Sequence, residues 1–294
     1  MTTSPPARRV IAGVDGTDAG LRAAEYAAYE AQERDADLLL VHAYHVAVGL
    51  NPMSPWYGMD ALRQTGQQAL REASQTVVTT TGCRPPGTWL AAGTAAGALV
   101  EASKTAALVV VARRDVHGIH RVVSGSTSTA VAARAESAVV SVPVGWSPSP
   151  GRSGKRGRVV VGVDGSAAGR DAIEFAFREA SRRSADLVAV HGWEVPASWF
   201  KDEAYLDSHR AEWEQLARLS VAEELAGWQQ DFPEVRVTTI VEPARRPADA
   251  LIEHSQDALL LVIGARGAGG IPGLHLGWTA HLLLQHAPCP LVVV

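Results

Sequence analysis

Val159-Val160-Val161-Gly162-Val163-Asp164-Gly165-Ser166 repeats, 149 positions later, the stretch Val10-Ile11-Ala12-Gly13-Val14-Asp15-Gly16-Thr17. In each copy an apolar, β-branched run ends in an aspartate, a glycine and a hydroxyl residue. That order reads as a buried strand, a tight turn and the N-cap of a helix. Val41-His42 returns as Val190-His191 at the same spacing. Further on, Ala112-Arg113-Arg114-Asp115, nine residues and Gly125-Ser126-Thr127 return as Gly264-Ala265-Arg266-Gly267, nine residues and Gly277-Trp278-Thr279, now 152 positions apart. The middle of the second copy therefore holds three extra residues. Strands and loops in register around a drifting middle mark a duplicated domain.

The boundary lies in Ser147 to Arg158, SPSPGRSGKRGR, which has almost nothing to bury and reads as a linker. The expected organisation is a first domain over 1–146, a linker over 147–158 and a second domain over 159–294. Each half is long enough to close its own core.

Apolar residues make up 47% of the 294-residue chain and charged residues 20%, an ordinary globular balance. The formal net charge of −4 gives no global basic field, which argues against nucleic acid and anionic membrane as partners. The opening MTTSPPARR lacks an apolar leader core and no apolar run is long enough to span a bilayer, so a cytoplasmic location is expected. Cys83 and Cys289 are too few for a disulfide framework or a metal cluster.

Five strand-like runs recur in each half: 10–14, 37–42, 88–91, 108–112 and 138–142, then 159–163, 186–191, 235–241, 259–263 and 290–294. Most are continuously apolar, which suits strands covered on both faces of a parallel sheet. Helical patterns lie between them, at 18–34, 59–78 and 204–230. Alternating strand and helix predicts a doubly wound α/β sheet with right-handed crossovers. Ligands of such sheets sit at the carboxyl ends of the strands. Asp15, Asp164 and both late loops fall there. A glycine-rich loop running into a helix start suits a phosphate, because free N–H groups and the positive end of the helix dipole face the anion.

These motifs resemble the universal stress protein family in its tandem two-domain form. The resemblance rests on GVDG followed by Ser or Thr, the VH ending the second strand, the spaced glycine loop, and the close HAPCPLVVV. It covers nearly the whole chain. It implies two Rossmann-like domains (adenine nucleotide alpha hydrolase-like), each a five-stranded parallel sheet flanked by helices. It implies ATP as ligand in many members, a stress sensor or regulator rather than an enzyme, and an internal pseudo-dimer joined through the last strands, near Val139 and Leu291, with a homodimer left open. Carried over by position, the adenosine-side contacts are Gly13, Asp15 and Ala43, with Gly162, Asp164 and Gly192 in the second copy. The phosphate-side contacts are Ala112, Asp115, Gly125, Ser126 and Thr127, with Gly264, Arg266, Gly267, Gly277, Trp278 and Thr279 in the second copy.

Each copy departs from the pattern differently. The first has Ala112 and Asp115 where the family has glycines. A carboxylate there opposes a triphosphate, at about 4 kcal/mol for unit charges ~4 Å apart at an effective dielectric of 20. Arg113, Arg114, Arg121 or a bridging Mg²⁺ would offset it. The second copy keeps its glycines and replaces the serine by Trp278, whose indole either packs, fills the phosphate site or stacks on a ligand; packing is the expectation. Other residues have plain structural readings. Asp15 and Asp164 are able simply to close their turns. His42 and His191 read as satisfied core histidines, and His117 and His120 have no third metal ligand. Neither loop has the lysine of a phosphoryl-transfer enzyme. Two readings remain: an ATP-binding regulator, and a nucleotide-free interaction protein with degenerate sites.

Overall fold

Asp15 and Asp164 stand at the ends of strands whose centres are fully buried: Val10, Ile11 and Ala12 in one copy, Val159, Val160 and Val161 in the other. The computed structural model of the chain describes residues 9–45, 57–113, 127–148, 157–194, 203–268 and 275–294. The chain divides into two compact units, Met1–Pro148 and Ser149–Val294.

Unit one contains β1 (Arg9–Gly13), α1 (Asp18–Glu33), β2 (Asp37–Tyr44), α2 (Tyr57–Thr81), β3 (Gly87–Ala92), α3 (Ala95–Ser103), β4 (Ala106–Ala112), α4 (Thr127–Ala132) and β5 (Ala138–Val142). Its strands lie in the order β3-β2-β1-β4-β5 and all pair in parallel. Unit two contains β6 (Arg158–Gly162), α5 (Ala167–Arg182), β7 (Asp186–Glu194), α6 (Glu203–Asp231), β8 (Val237–Ala244), α7 (Pro247–His254), β9 (Leu260–Ile263), α8 (Trp278–His286) and β10 (Leu291–Val293). Its order is β8-β7-β6-β9-β10, again parallel throughout. Each unit is thus the expected five-stranded, doubly wound sheet. The order reverses between β1 and β4, and between β6 and β9. That crevice is where a ligand of such a sheet binds.

The first turns form as the sequence predicts. Gly16 and Gly165 have φ of +78° and +76°, a conformation that side-chain-bearing residues rarely adopt. Thr17 and Ser166 follow as N-caps, their hydroxyls accepting from Gly20 N and Gly169 N. The inward face of α1 is mostly alanine, at 23, 24, 27, 28 and 31, so the helix lies close on the sheet. In unit two Phe177 is fully buried and packs 6.4 Å from Trp228 and 5.8 Å from Phe232 between ring centroids.

Some boundaries differ from the sequence reading for physical reasons. β8 runs on through Pro243 to Ala244. It is the last strand on its side of the order, where a missing N–H breaks no ladder. β7 likewise extends past His191 through Gly192 and Trp193, which pair with Glu242 and Pro243. Among the described residues no helix is long and apolar enough to cross a membrane.

Candidate functional site

At the reversal point of unit two the first-strand aspartate and the late loop meet. Asp164 Oδ1 accepts from Ser166 N at 3.0 Å, closing the turn. Its Oδ2 accepts from Ala268 N at 3.0 Å, a contact spanning 104 residues of chain. Ser166 Oγ also donates to the Arg266 carbonyl at 3.4 Å. The loop is closed at its base, where Gly277 N donates to Ala265 O at 2.8 Å.

Close contacts account for two of the three loop glycines. A Cβ on Gly264 would stand 2.7 Å from the Ala168 carbonyl oxygen in the first turn of α5. One on Gly267 would stand 2.5 Å from Asp164 Oδ2, whereas one on Gly277 would make only ordinary contact, 3.5 Å from Ala265 O and 3.6 Å from Gly267 N. Gly264, Gly267, Gly277 and Asp164 therefore form one corner. Gly277 is the N-cap of α8 and supplies no side-chain acceptor, so the N–H groups of the first turn, at Trp278, Thr279 and Ala280, lack a capping side chain. Arg266 is exposed at the outer side of the loop.

Trp278 departs from expectation. The indole is 70% exposed and stacks 6.2 Å from His281, one turn along α8. Ala280, Leu283 and Leu284 take the buried face of this helix, which turns the first residue outward. The indole does not pack into the core.

The strand-end glycines lie against helices. A Cβ on Gly13 would meet Leu99 of α3 at 3.0 Å, and one on Gly162 would meet Leu251 of α7 at 3.2 Å. Gly192 lies against Ala244, Pro247 and Ala250, all within 3.3 Å of its missing Cβ. Close packing of strands against helices accounts for these three glycines. The histidines are also structural. His42 Nδ1 lies 2.8 Å from Val14 O and His191 Nδ1 lies 2.7 Å from Val163 O. A carbonyl only accepts, so each Nδ1 carries the proton. Both tie the end of the second strand to the end of the first.

In unit one Asp15 Oδ1 accepts from Thr17 N at 3.0 Å and from Thr17 Oγ1 at 2.6 Å. Ala112 ends β4 next to β1, and Ala43 is half-buried in β2. Thr127 opens α4, a helix of six residues. Asp115, Gly125 and Ser126 lie outside the described residues, as do Arg114, His117, His120 and Arg121. The geometry of a phosphate corner is thus drawn for unit two alone.

One residue of this region was not singled out from sequence. Glu224 of α6 accepts a hydrogen bond from Gly165 N–H. Its Oε2 is buried without a hydrogen-bond partner. Burial, and secondarily the charge of Asp164, hold its carboxyl above the usual range. The signal lay in the spacing: Val221, Leu225 and Trp228 mark the inward stripe of α6, and position 224 falls on it.

The sequence model of the universal stress protein family matches residues 6–143 and 155–294. The chain belongs to the universal stress protein family. It carries two tandem domains of that family, as the doubled motifs implied. A universal stress protein of Mycolicibacterium smegmatis is 33% identical over 307 residues, with 100% of this chain and 99% of that protein covered. One from Mycobacterium tuberculosis is 33% identical over 310 residues, covering 100% and 98%. Among solved structures, a universal stress protein from Archaeoglobus fulgidus superposes with a TM-score of 0.70 at 17% identity, covering 97% of this chain and 95% of that one. At that identity the likeness speaks for the fold of this universal stress protein.

Proposed function

We propose that this chain is an ATP-binding stress-response regulator without dedicated catalysis, and that unit two is its main nucleotide site. The carrying observation is the corner in which Gly264, Gly267 and Gly277 converge on the reversal point of the sheet beside the uncapped start of α8. Bare glycine backbone permits close approach of a phosphate, and the helix start supplies N–H groups and a favourable dipole. The adenosine would lie over Gly162, Asp164 and Gly192 and the phosphates against Gly264, Gly267, Gly277, Trp278 and Thr279, with Arg266 at the rim. The residues present fit a triphosphate better than a protein-held metal. Among the described residues no group of three His, Cys, Asp or Glu side chains is placed to hold an ion. Mg²⁺ would therefore arrive on the phosphates, its usual way of binding beside nucleotides.

Purification without added nucleotide, extraction, and titration of the stripped chain with ATP test this reading. Retained adenine nucleotide or saturable binding below millimolar is the expected result; neither would sink it.

A second reading, a nucleotide-free interaction protein, is favoured by one observation. Ala268 N and Gly277 N, two donors of the corner, are already spent on Asp164 and Ala265. Restoring the family residues by Asp115→Gly and Trp278→Ser separates the two readings. ATP affinity gained only in the restored protein would favour degenerate sites; equal affinity would favour a working site.

A further inference from the structure

The loop of unit two is held by an anion that belongs to the protein. Asp164 Oδ2 takes the Ala268 N–H at 3.0 Å, passing close beside the bare backbone of Gly267. A side chain there would begin 2.5 Å from the same oxygen. A backbone N–H of the loop thus meets an anionic oxygen, as it would meet one of a phosphate.

We propose that Asp164 is a built-in competitor of phosphate in unit two: its carboxylate latches the loop through Ala268, and a polyphosphate binds by displacing it. This rests on the nucleotide reading above and adds to it a regulatory role for a residue whose carried-over role is that of an adenosine contact. Three observations support it. The carboxylate and the loop N–H are hydrogen-bonded to each other at 3.0 Å. The adjacent Ser166 hydroxyl reinforces the closed arrangement by donating to Arg266 O at 3.4 Å. The repeat supplies an internal comparison. In unit one the matching hydroxyl, Thr17 Oγ1, turns back onto its own Asp15 at 2.6 Å, and the residue matching Gly267 in the sequence is Asp115.

The proposal makes affinity for the phosphate end depend on the charge of residue 164. Asp164→Asn keeps an amide oxygen for the turn and removes the charge. Asp164→Ser keeps a hydroxyl able to accept from Ser166 N and is too short to reach Ala268. The probe is inorganic tripolyphosphate without Mg²⁺, which isolates the phosphate end from any adenosine contact, with ATP titrated in parallel. The readouts on the isotope-labelled full chain are the amide signals of Ala268 and Gly277, which place the binding in unit two, the hydrogen exchange of Ala268, and the Asp164 carboxyl carbon shift in the unmodified chain.

The expected result is faster exchange at Ala268 in both variants and tripolyphosphate binding tighter by about threefold to tenfold, the range of one exchanged hydrogen bond. In the unmodified chain the Asp164 carboxyl signal should move as tripolyphosphate saturates. Unchanged or weaker tripolyphosphate binding in the variants, or an Asp164 signal that stays still at saturation, overturns the competitor role while leaving ATP binding by the parent intact. No response of these amides to tripolyphosphate or ATP in any form overturns the nucleotide reading and the latch together. If both variants fail to fold, the carboxyl signal of the unmodified chain decides alone.

Discussion

Glu224 and Gly165 are in contact across unit two: the carboxylate accepts from the glycine N–H, and Oε1 lies 3.4 Å from where a Cβ on Gly165 would stand. In unit one the matching place beside Gly16 is held by the Ala69 methyl, at 3.6 Å. A charge has entered the second copy where the first has a hydrocarbon.

That charge carries a pH signature. Burial and the neighbouring Asp164 hold the Glu224 carboxyl above its usual range. A group with its folded pKa raised favours the fold while protonated and loses that favour as pH rises through the folded value. Ionised Glu224 therefore costs stability at neutral pH. Glu224→Gln should raise the melting temperature of unit two at pH 7 by about 2 °C, and the gap should close as pH falls to about 4. Thermal unfolding across that range checks it; a gap that widens on acidification would contradict the assignment.

Trp278 is a large side chain whose removal should cost almost nothing. At 70% exposure it contributes little burial, so Trp278→Ala should change unfolding stability by less than about 0.5 kcal/mol. A packed tryptophan would cost about 3–5 kcal/mol. A shift of that larger size in a urea titration would show that the indole packs after all.

Gly264 should tolerate nothing larger. The atoms a methyl would meet are backbone, the Ala168 carbonyl carbon and oxygen at 2.8 and 2.7 Å, and backbone yields poorly. Gly264→Ala should destabilise unit two by about 1–3 kcal/mol. The reciprocal change Ala112→Gly in unit one should be mild, since an alanine already fits there. Denaturation of the two variants side by side tests the asymmetry.

Glu179 is 1% exposed and bonds Arg182 at 2.5 Å and Arg183 at 3.0 and 3.2 Å. Glu179→Gln weakens a buried charged pair and should cost about 1–3 kcal/mol. The exposed pair Arg246–Asp249, bonded at 2.7 and 3.0 Å, should cost less than about 1 kcal/mol when Asp249 becomes alanine. Equal losses would mean that burial does not set the difference.

The sheet was legible because its strands are short apolar runs between glycine turns, and the repeat fixed their number twice. The N-caps Thr17 and Ser166 were legible for the same local reason. The short helices α3 and α7 left little trace, since nine and eight residues give too few turns for a period to stand out. The site divided along the same line. Asp164 and the loop glycines were visible as a motif, but the reason for each glycine was not. Gly162 answers to Leu251, Gly264 to Ala168 and Gly267 to Asp164, partners between 89 and 103 positions away in sequence. Trp278 was misjudged because hydrophobicity alone does not say which side of a helix start faces out.

The bond from Gly277 to Ala265 has a wider consequence. It ties the two ends of the late loop together where the chain leaves β9 and enters α8, so the loop departs and returns at one point. A closed neck lets the segment inside it change composition at little thermodynamic cost, since loop closure is already accounted for by one hydrogen bond at its mouth. The mouth itself is a bond between two backbone groups, so a change of side chain leaves both its donor and its acceptor in place.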